Sequence, residues 1–146
     1  MVKELDTPWI NVKSFHLRYE STPAEYHQAR REFTEAGLQI TGGGTITLHE
    51  DTDEDVGKYF EYARLAGMPL MVIAPRPEVL PRIEQFVKRY GIQVAIHNHG
   101  PEDQYFPAPS DALKVIRNMD PRVGLCVDVG HAVRTGKDVV QEIADA

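Results

Sequence analysis

Four titratable residues close two short apolar runs. In "QVAIHNHG", residues 93–100, they are His97 and His99; in "VGLCVDVGH", residues 123–131, they are Asp128 and His131. Imidazole nitrogen and carboxylate oxygen suit Mn, Zn, Co or Fe, with Mg less suited to a histidine-containing set. A divalent metal held this way would polarise a carbonyl or hydroxyl and steady an ene-diolate. An imidazole that titrates near neutrality would also move protons. Plainer roles compete. A lone strand-end histidine is more often a hydrogen-bonding group than a ligand, and Asp128 would serve equally as a helix cap. Two strands that finish in the same chemistry on matching faces favour a site.

Such a site requires the two runs to lie side by side as parallel strands. Strand candidates are "INVKSFHLRY", "LQITGGGTITL", "PLMVIAP", "IQVAIHNH" and "VGLCVDVG", all β-branched or aromatic-rich. Helical patterns separate them. "STPAEYHQARREFTEAG" has Thr22 as N-cap, Pro23 at the first helical position, Glu25 completing a capping box and Gly37 as the stop. "DTDEDVGKYFEYARLAG" repeats the scheme from Thr52 to Gly67, and "RPEVLPRIEQFVKRYG" closes at Gly91. "SDALKVIRNMDP" is capped by Ser110, and "TGKDVVQEIADA" starts a last helix.

Five β–α units in series predict a parallel sheet with helical crossovers, either doubly wound or part of a (β/α)8 barrel. Side-chain parity separates the two. Ile92, Val94 and Ile96 share one face of the fourth strand, while Gln93, Ala95, His97 and His99 share the other. In the fifth, Val123, Leu125 and Val127 oppose Gly124, Cys126 and Asp128. A doubly wound sheet meets helices on both faces and would be aliphatic on both. One aliphatic face, and one of small residues turning polar at its C-terminal end, fits a barrel.

The 146 residues suffice for one domain with a core, read here as spanning residues 1–146, and 42% hydrophobic with 26% charged is ordinary for a globular protein. A net charge of -6 without a dense Lys/Arg cluster argues against nucleic acid as partner. No run is long enough to span a bilayer, and "MVKELDTPWINVK" has no hydrophobic signal core. The single cysteine, Cys126, cannot form an internal disulfide and reads as a small buried thiol. A cytoplasmic protein is expected.

"VGLCVDVGH" resembles the sixth-strand signature of the xylose isomerase-like TIM-barrel superfamily of sugar phosphate isomerases and epimerases, which ends in Asp-x-x-His. "VAIHNHG" is similar to that family's preceding strand, usually Glu-Asn-His-Gly, and "KSFHL" and "EAGLQITGGGTITL" resemble earlier strands. The resemblance runs from about Val12 onward. It implies Asp128 as metal ligand, His131 as substrate-binding, and His99 as a substrate contact. His97 stands where the family carries a glutamate that binds metal and moves a proton. The resemblance thus implies His97 and Asp128 for the metal, and His97 and His131 for catalysis. The activity implied is a metal-dependent sugar or sugar-phosphate isomerase/epimerase, an isomerase if active, working by proton transfer beside a chelated hydroxy-carbonyl. A small sugar or polyol would be the substrate.

The matched strands are the family's second to sixth, and a typical barrel needs about 250 residues. The chain is therefore expected to form an incomplete barrel, either as a fragment or by closing its sheet through self-association or a partner chain. The edge strands would invite such pairing. The competing expectation is a truncated or degenerate barrel that folds or pairs without turnover. An abasic-DNA endonuclease of the same superfamily ranks below both, since it needs more ligands and a basic groove.

Other residues fall near the expected mouth. His16 shares a face with Val12 and Ser14 and would bind substrate from near its strand's end. Arg134 would bind a substrate phosphate or carboxylate. "TGGGT", residues 41–45, lacks the Gly-Lys-Ser/Thr of a phosphate loop and predicts close backbone approach or a bulge. His49 and Glu50 read as a solvated loop. "GPEDQYFPAPS" is either a lid or an apolar plug.

Overall fold

A computed structural model describes residues 6–146; the first five, part of the segment read as lacking a signal core, lie outside the described residues. Five strands, β1 (Trp9–Val12), β2 (Gln39–Leu48), β3 (Leu70–Pro75), β4 (Gln93–His97) and β5 (Val123–Cys126), pair in parallel in the order β1-β2-β3-β4-β5. Sequential order without reversal is barrel order, since a doubly wound sheet changes direction at a switch point. The chain forms five consecutive βα units of an incomplete (β/α)8 barrel, with β1 and β5 as its edges.

The helices arise where the capping residues predict. Helix α1 (Pro23–Glu35) starts at Thr22, whose side chain accepts from Glu25 N–H while Glu25 accepts from Thr22 N–H. Helix α2 (Asp53–Ala66) starts at Thr52 and stops at Gly67. A 3₁₀ turn, Pro77–Val79, leads into α3 (Leu80–Tyr90), which stops at Gly91. Helices α4 (Pro109–Ile116), α5 (Val129–Arg134) and α6 (Val139–Asp145) complete the order.

Parity along the strands sets the two sides of the sheet. Met71, Ile73, Val94, Ile96 and Val123 are buried against the helices, meeting Phe60, Ile83 and Val87. Each such aliphatic or aromatic side chain contributes roughly 1.5–3 kcal/mol when fully buried. On the opposite side Leu70, Val72 and Ala74 are only half-buried, as an unclosed concave face should be. Phe60, Phe86 and Tyr90 pack ring against ring under α2 and α3.

Four local expectations are corrected. The first strand ends at Val12, not in "HLRY": residues 14–16 form a turn in which Lys13 N–H donates to His16 Nδ1 at 3.2 Å. The strand face that would have aimed His16 inward is therefore not formed. The fourth and fifth strands stop at His97 and Cys126, so His99 and Asp128 lie just beyond their ladder. Asp128 instead opens α5, which makes the cap considered for it real and ends the fifth strand two residues earlier than its apolar run suggests. Helix α4 is not capped by Ser110. Pro109 takes its first turn, Asp111 accepts from Ala108 N–H at 3.3 Å, and Ser110 N–H and Oγ–H both donate to Glu142 of α6 at 2.8 Å.

The glycine run of β2 matches its reading. A β-carbon on Gly42 would come within 2.8 Å of Leu70 O, and the β2–β3 register shifts between Gly43 and Ile46. Close strand approach with a bulge accounts for the small residues there.

Candidate functional site

The site is assembled by two neighbouring strand ends. His97 pairs in register with Cys126, so the chain leaves β4 and β5 at the same height. Beyond that level the backbones part, and Asn98 bridges them. Its Oδ1 accepts from Asp128 N–H at 2.8 Å and its Nδ2 donates to Asp128 C=O at 3.0 Å. Asn98 is 1% exposed, so its amide is fully committed to this bridge.

Asp128 divides its carboxylate. One oxygen, Oδ1, caps α5 by accepting His131 N–H at 2.8 Å. The other, Oδ2, faces His97 Nε2 at 3.5 Å. The cap and the chemical role considered for this residue are thus compatible rather than alternatives. The His131 N–H holds the Asp128 carboxyl below the usual carboxylate range, with His131 and His97 adding to the effect. Burial pushes the His97 imidazole below its ordinary value, and His99 reinforces this while Asp128 opposes it. At neutral pH the pair is a carboxylate beside a neutral imidazole. His97 Nδ1 is buried and has no hydrogen-bond partner.

Three imidazoles converge here. The ring centroids of His97 and His99 are 4.4 Å apart, and each lies 5.8 Å from that of His131. His99 Nδ1 stands 3.3 Å from Asp103 Oδ2, and Asp103 also accepts Tyr105 N–H at 2.7 Å and Phe106 N–H at 3.0 Å. The loop after β4 is laced to the strand end by His99 N–H to Phe106 C=O and Gly100 N–H to Pro107 C=O. Phe106 is buried in the core and Tyr105 packs against it, so these rings anchor the loop to the body of the fold.

His97, His99, Asp128 and His131 are therefore brought together, with Arg134 against His131 at 3.0 Å from its Nδ1. His16 is placed apart from their hydrogen bonds: it is exposed, its ring packed on Phe15. His49, read as solvated, is exposed and lines a cleft with His99, Arg76 and Tyr105. Cys126 is half-buried beside His97, and burial pushes its thiol up, which makes it a poor nucleophile. Three residues escaped the sequence reading. Asn98 was passed over because its parity points it away from the mouth, Asp103 because its spacing from His99 becomes a contact only once the loop folds back, and Glu102 because its partner Arg134 lies 32 residues away in sequence.

The donors match a divalent metal in kind and fall short in number. Imidazole and carboxylate face each other, but among the described residues no group of three or more His, Cys, Asp or Glu is arranged to hold an ion. Catalytic sites commonly use three protein ligands. His97 and Asp128 form two donors of such a set. Among the described residues no helix is long and apolar enough to cross a membrane.

Several solved structures share this fold. An uncharacterised protein from Parabacteroides distasonis is 28% identical with a TM-score of 0.70, matching 87% of this chain and 50% of its own. A xylose isomerase domain-containing protein from Salmonella typhimurium is 21% identical, TM-score 0.74, over 92% and 56%. The 3-keto-D-glucoside 4-epimerase of E. coli is 16% identical, TM-score 0.76, over 99% and 66%. The chain thus spans between half and two thirds of these structures' lengths. A search of curated proteins finds no match. The sequence profile of the xylose isomerase-like TIM barrel matches residues 3–146, and the chain belongs to that family.

Proposed function

We propose that this chain carries part of the active site of a sugar or sugar-phosphate isomerase/epimerase-like protein that moves a proton next to a hydroxy-carbonyl. The observation that carries this reading is the meeting of His97, His99, His131 and Asp128 at the C-terminal ends of adjacent parallel strands. Structural neighbours that include the 3-keto-D-glucoside 4-epimerase and a D-tagatose 3-epimerase-like protein support it.

His97, neutral and desolvated, takes the proton from the carbon beside the carbonyl, leaving an ene-diolate. His131 serves as the second proton-moving group, and His99 contacts the substrate's oxygens. His97 and Asp128 would hold a divalent metal (Mn, Co, Zn or Fe before Mg), which supplies Lewis acidity at the carbonyl oxygen. An imidazole nitrogen bound to a cation is not free to take a proton, so metal holding and proton removal are alternative employments of His97. Further donors would come from outside this pair, and the open edges of β1 and β5 are where a second chain would supply them.

The absence of a three-donor group among the described residues favours one other reading, a barrel fragment that folds or pairs without turnover. Elemental analysis of protein equilibrated with Mn, Co or Zn separates the two. Retention by the wild type and loss in a His97→Ala, Asp128→Ala double variant are expected. Equal metal content in both, together with no turnover of ketoses or polyols, would leave the non-catalytic reading.

A further inference from the structure

By sequence Arg134 is expected to bind a substrate phosphate or carboxylate, yet its guanidinium is already engaged within the chain. Nη1 lies 3.0 Å from His131 Nδ1, and Nη2 donates to Glu102 Oε1. We infer that Arg134 is a positioning residue: it fixes His131 in the tautomer that carries its proton on Nε2, with Glu102 holding Arg134 in place. The inference rests on His131 belonging to the proposed site and divides the labour within it.

The argument is one of donors and acceptors. A guanidinium has five N–H groups, no acceptor, and does not deprotonate in proteins. The only role left to His131 Nδ1 at 3.0 Å is acceptor, so the neutral ring keeps its hydrogen on Nε2. The backbone of the same residue is held separately, by its N–H to Asp128 Oδ1 at 2.8 Å. His131 is thereby fixed at backbone and ring. Its one free donor serves what enters among the three imidazoles, whose centroids lie 4.4–5.8 Å apart.

The loop backbone is built around this chain of contacts. Gly100 has φ +84°, and a β-carbon there would stand 3.2 Å from His131 Nδ1, 3.4 Å from Arg134 Nη1 and 3.4 Å from Glu102 Oε2. All three groups close over one glycine, which the positive φ favours and which keeps the space beside them clear. Stability is a weak account of the arrangement, because Glu102 and Arg134 are exposed, and exposed ion pairs contribute little. Orientation is what three converging groups supply. In the proposed reaction His131 then begins as a donor, hydrogen-bonding or protonating the carbonyl oxygen, and His97 is the base.

Long-range ¹⁵N–¹H correlation spectra of the labelled full chain near neutral pH report the tautomer directly. The chain has six histidines, and the His131 ring is assigned by its disappearance in His131→Gln. The expected wild-type pattern is a single tautomer with Nδ1 unprotonated. Arg134→Lys, which keeps a donor, should preserve it, and Arg134→Met should give comparable populations of both tautomers. A wild-type ring protonated on Nδ1, or a His131 pattern unchanged in Arg134→Met, overturns the inference. Should Arg134→Met fail to fold, the wild type and Arg134→Lys decide alone, an Nδ1–H ring in either refuting the assignment. Metal content and turnover of ketoses or polyols measured on the same samples keep the two ideas apart: no metal retention and no turnover with an intact tautomer remove only the proposed function.

Discussion

Helices α2 and α3 and helices α5 and α6 belong to the same kind of unit, and they end in opposite states. Between α2 and α3, Phe60 and Ile83 are wholly buried and the Phe60, Phe86 and Tyr90 rings pack together. On α5 and α6, Val133 is 62% and Val140 77% exposed, with Val129 and Ile143 also facing out. Both regions carry apolar residues at helical spacing. What differs is neighbours: the central units are flanked by packed elements on either side, whereas α5 and α6 follow the edge strand β5 and pack on each other, α6 also on α4. In a (β/α) repeat, burial is a property of the interface between units rather than of any one unit.

The largest expected effect tests the sealed region. Phe60→Ala should lower unfolding free energy by about 3–5 kcal/mol in denaturant titration, the usual cost of an aromatic cavity that cannot collapse. A loss under about 1 kcal/mol would mean that the centre is no better packed than the edge. Next comes the tie that holds α6 in place. Glu142 is buried and accepts both the N–H and the hydroxyl of Ser110, with Lys137 Nζ 2.8 Å from the same hydroxyl. Glu142→Ala should cost about 1–3 kcal/mol, the penalty for leaving such donors without their acceptor. Hydrogen exchange should rise in α4 and α6 and stay unchanged in α2 and α3. Exchange that rises uniformly would show that the two regions unfold as one. The smallest effect belongs to the open face. Val133→Lys should change stability by no more than about 0.5 kcal/mol, as at exposed positions generally. A loss above about 1 kcal/mol that depends on protein concentration would show that another chain covers this face in solution, and the contrast would dissolve.

Much of this was readable in the residues. Thr22 with Glu25, and Thr52 with its acids, set helix starts because capping is local chemistry. Alternation in β4 and β5 gave the face on which His97 and Asp128 meet. The misreadings share a cause: local pattern imitating another element. Val12, Ser14 and His16 alternate like a strand yet bend after Val12. "VDVGHAVR" continues the apolar run of β5, which obscured where the strand ends and the six-residue helix capped by Asp128 begins. Ser110 has the chemistry of a cap, but Pro109 before it is the first helical residue, so the helix starts two residues earlier than a Ser110 cap would set it, and Glu142 lies 32 residues away. Asn98 stands in the His-Asn-His-Gly run, but nothing in that run shows its role, since both its partners are main-chain atoms of Asp128.

That amide has a geometric meaning of its own. Peptide pairing between β4 and β5 stops at His97 and Cys126, and the next rung is spanned by a side chain. A rung made of side chain is longer than one made of backbone, so the strand tips spread while staying fastened. The mouth gains width there without gaining freedom, and a leucine at position 98, similar in bulk yet unable to fasten anything, would let the two tips drift independently.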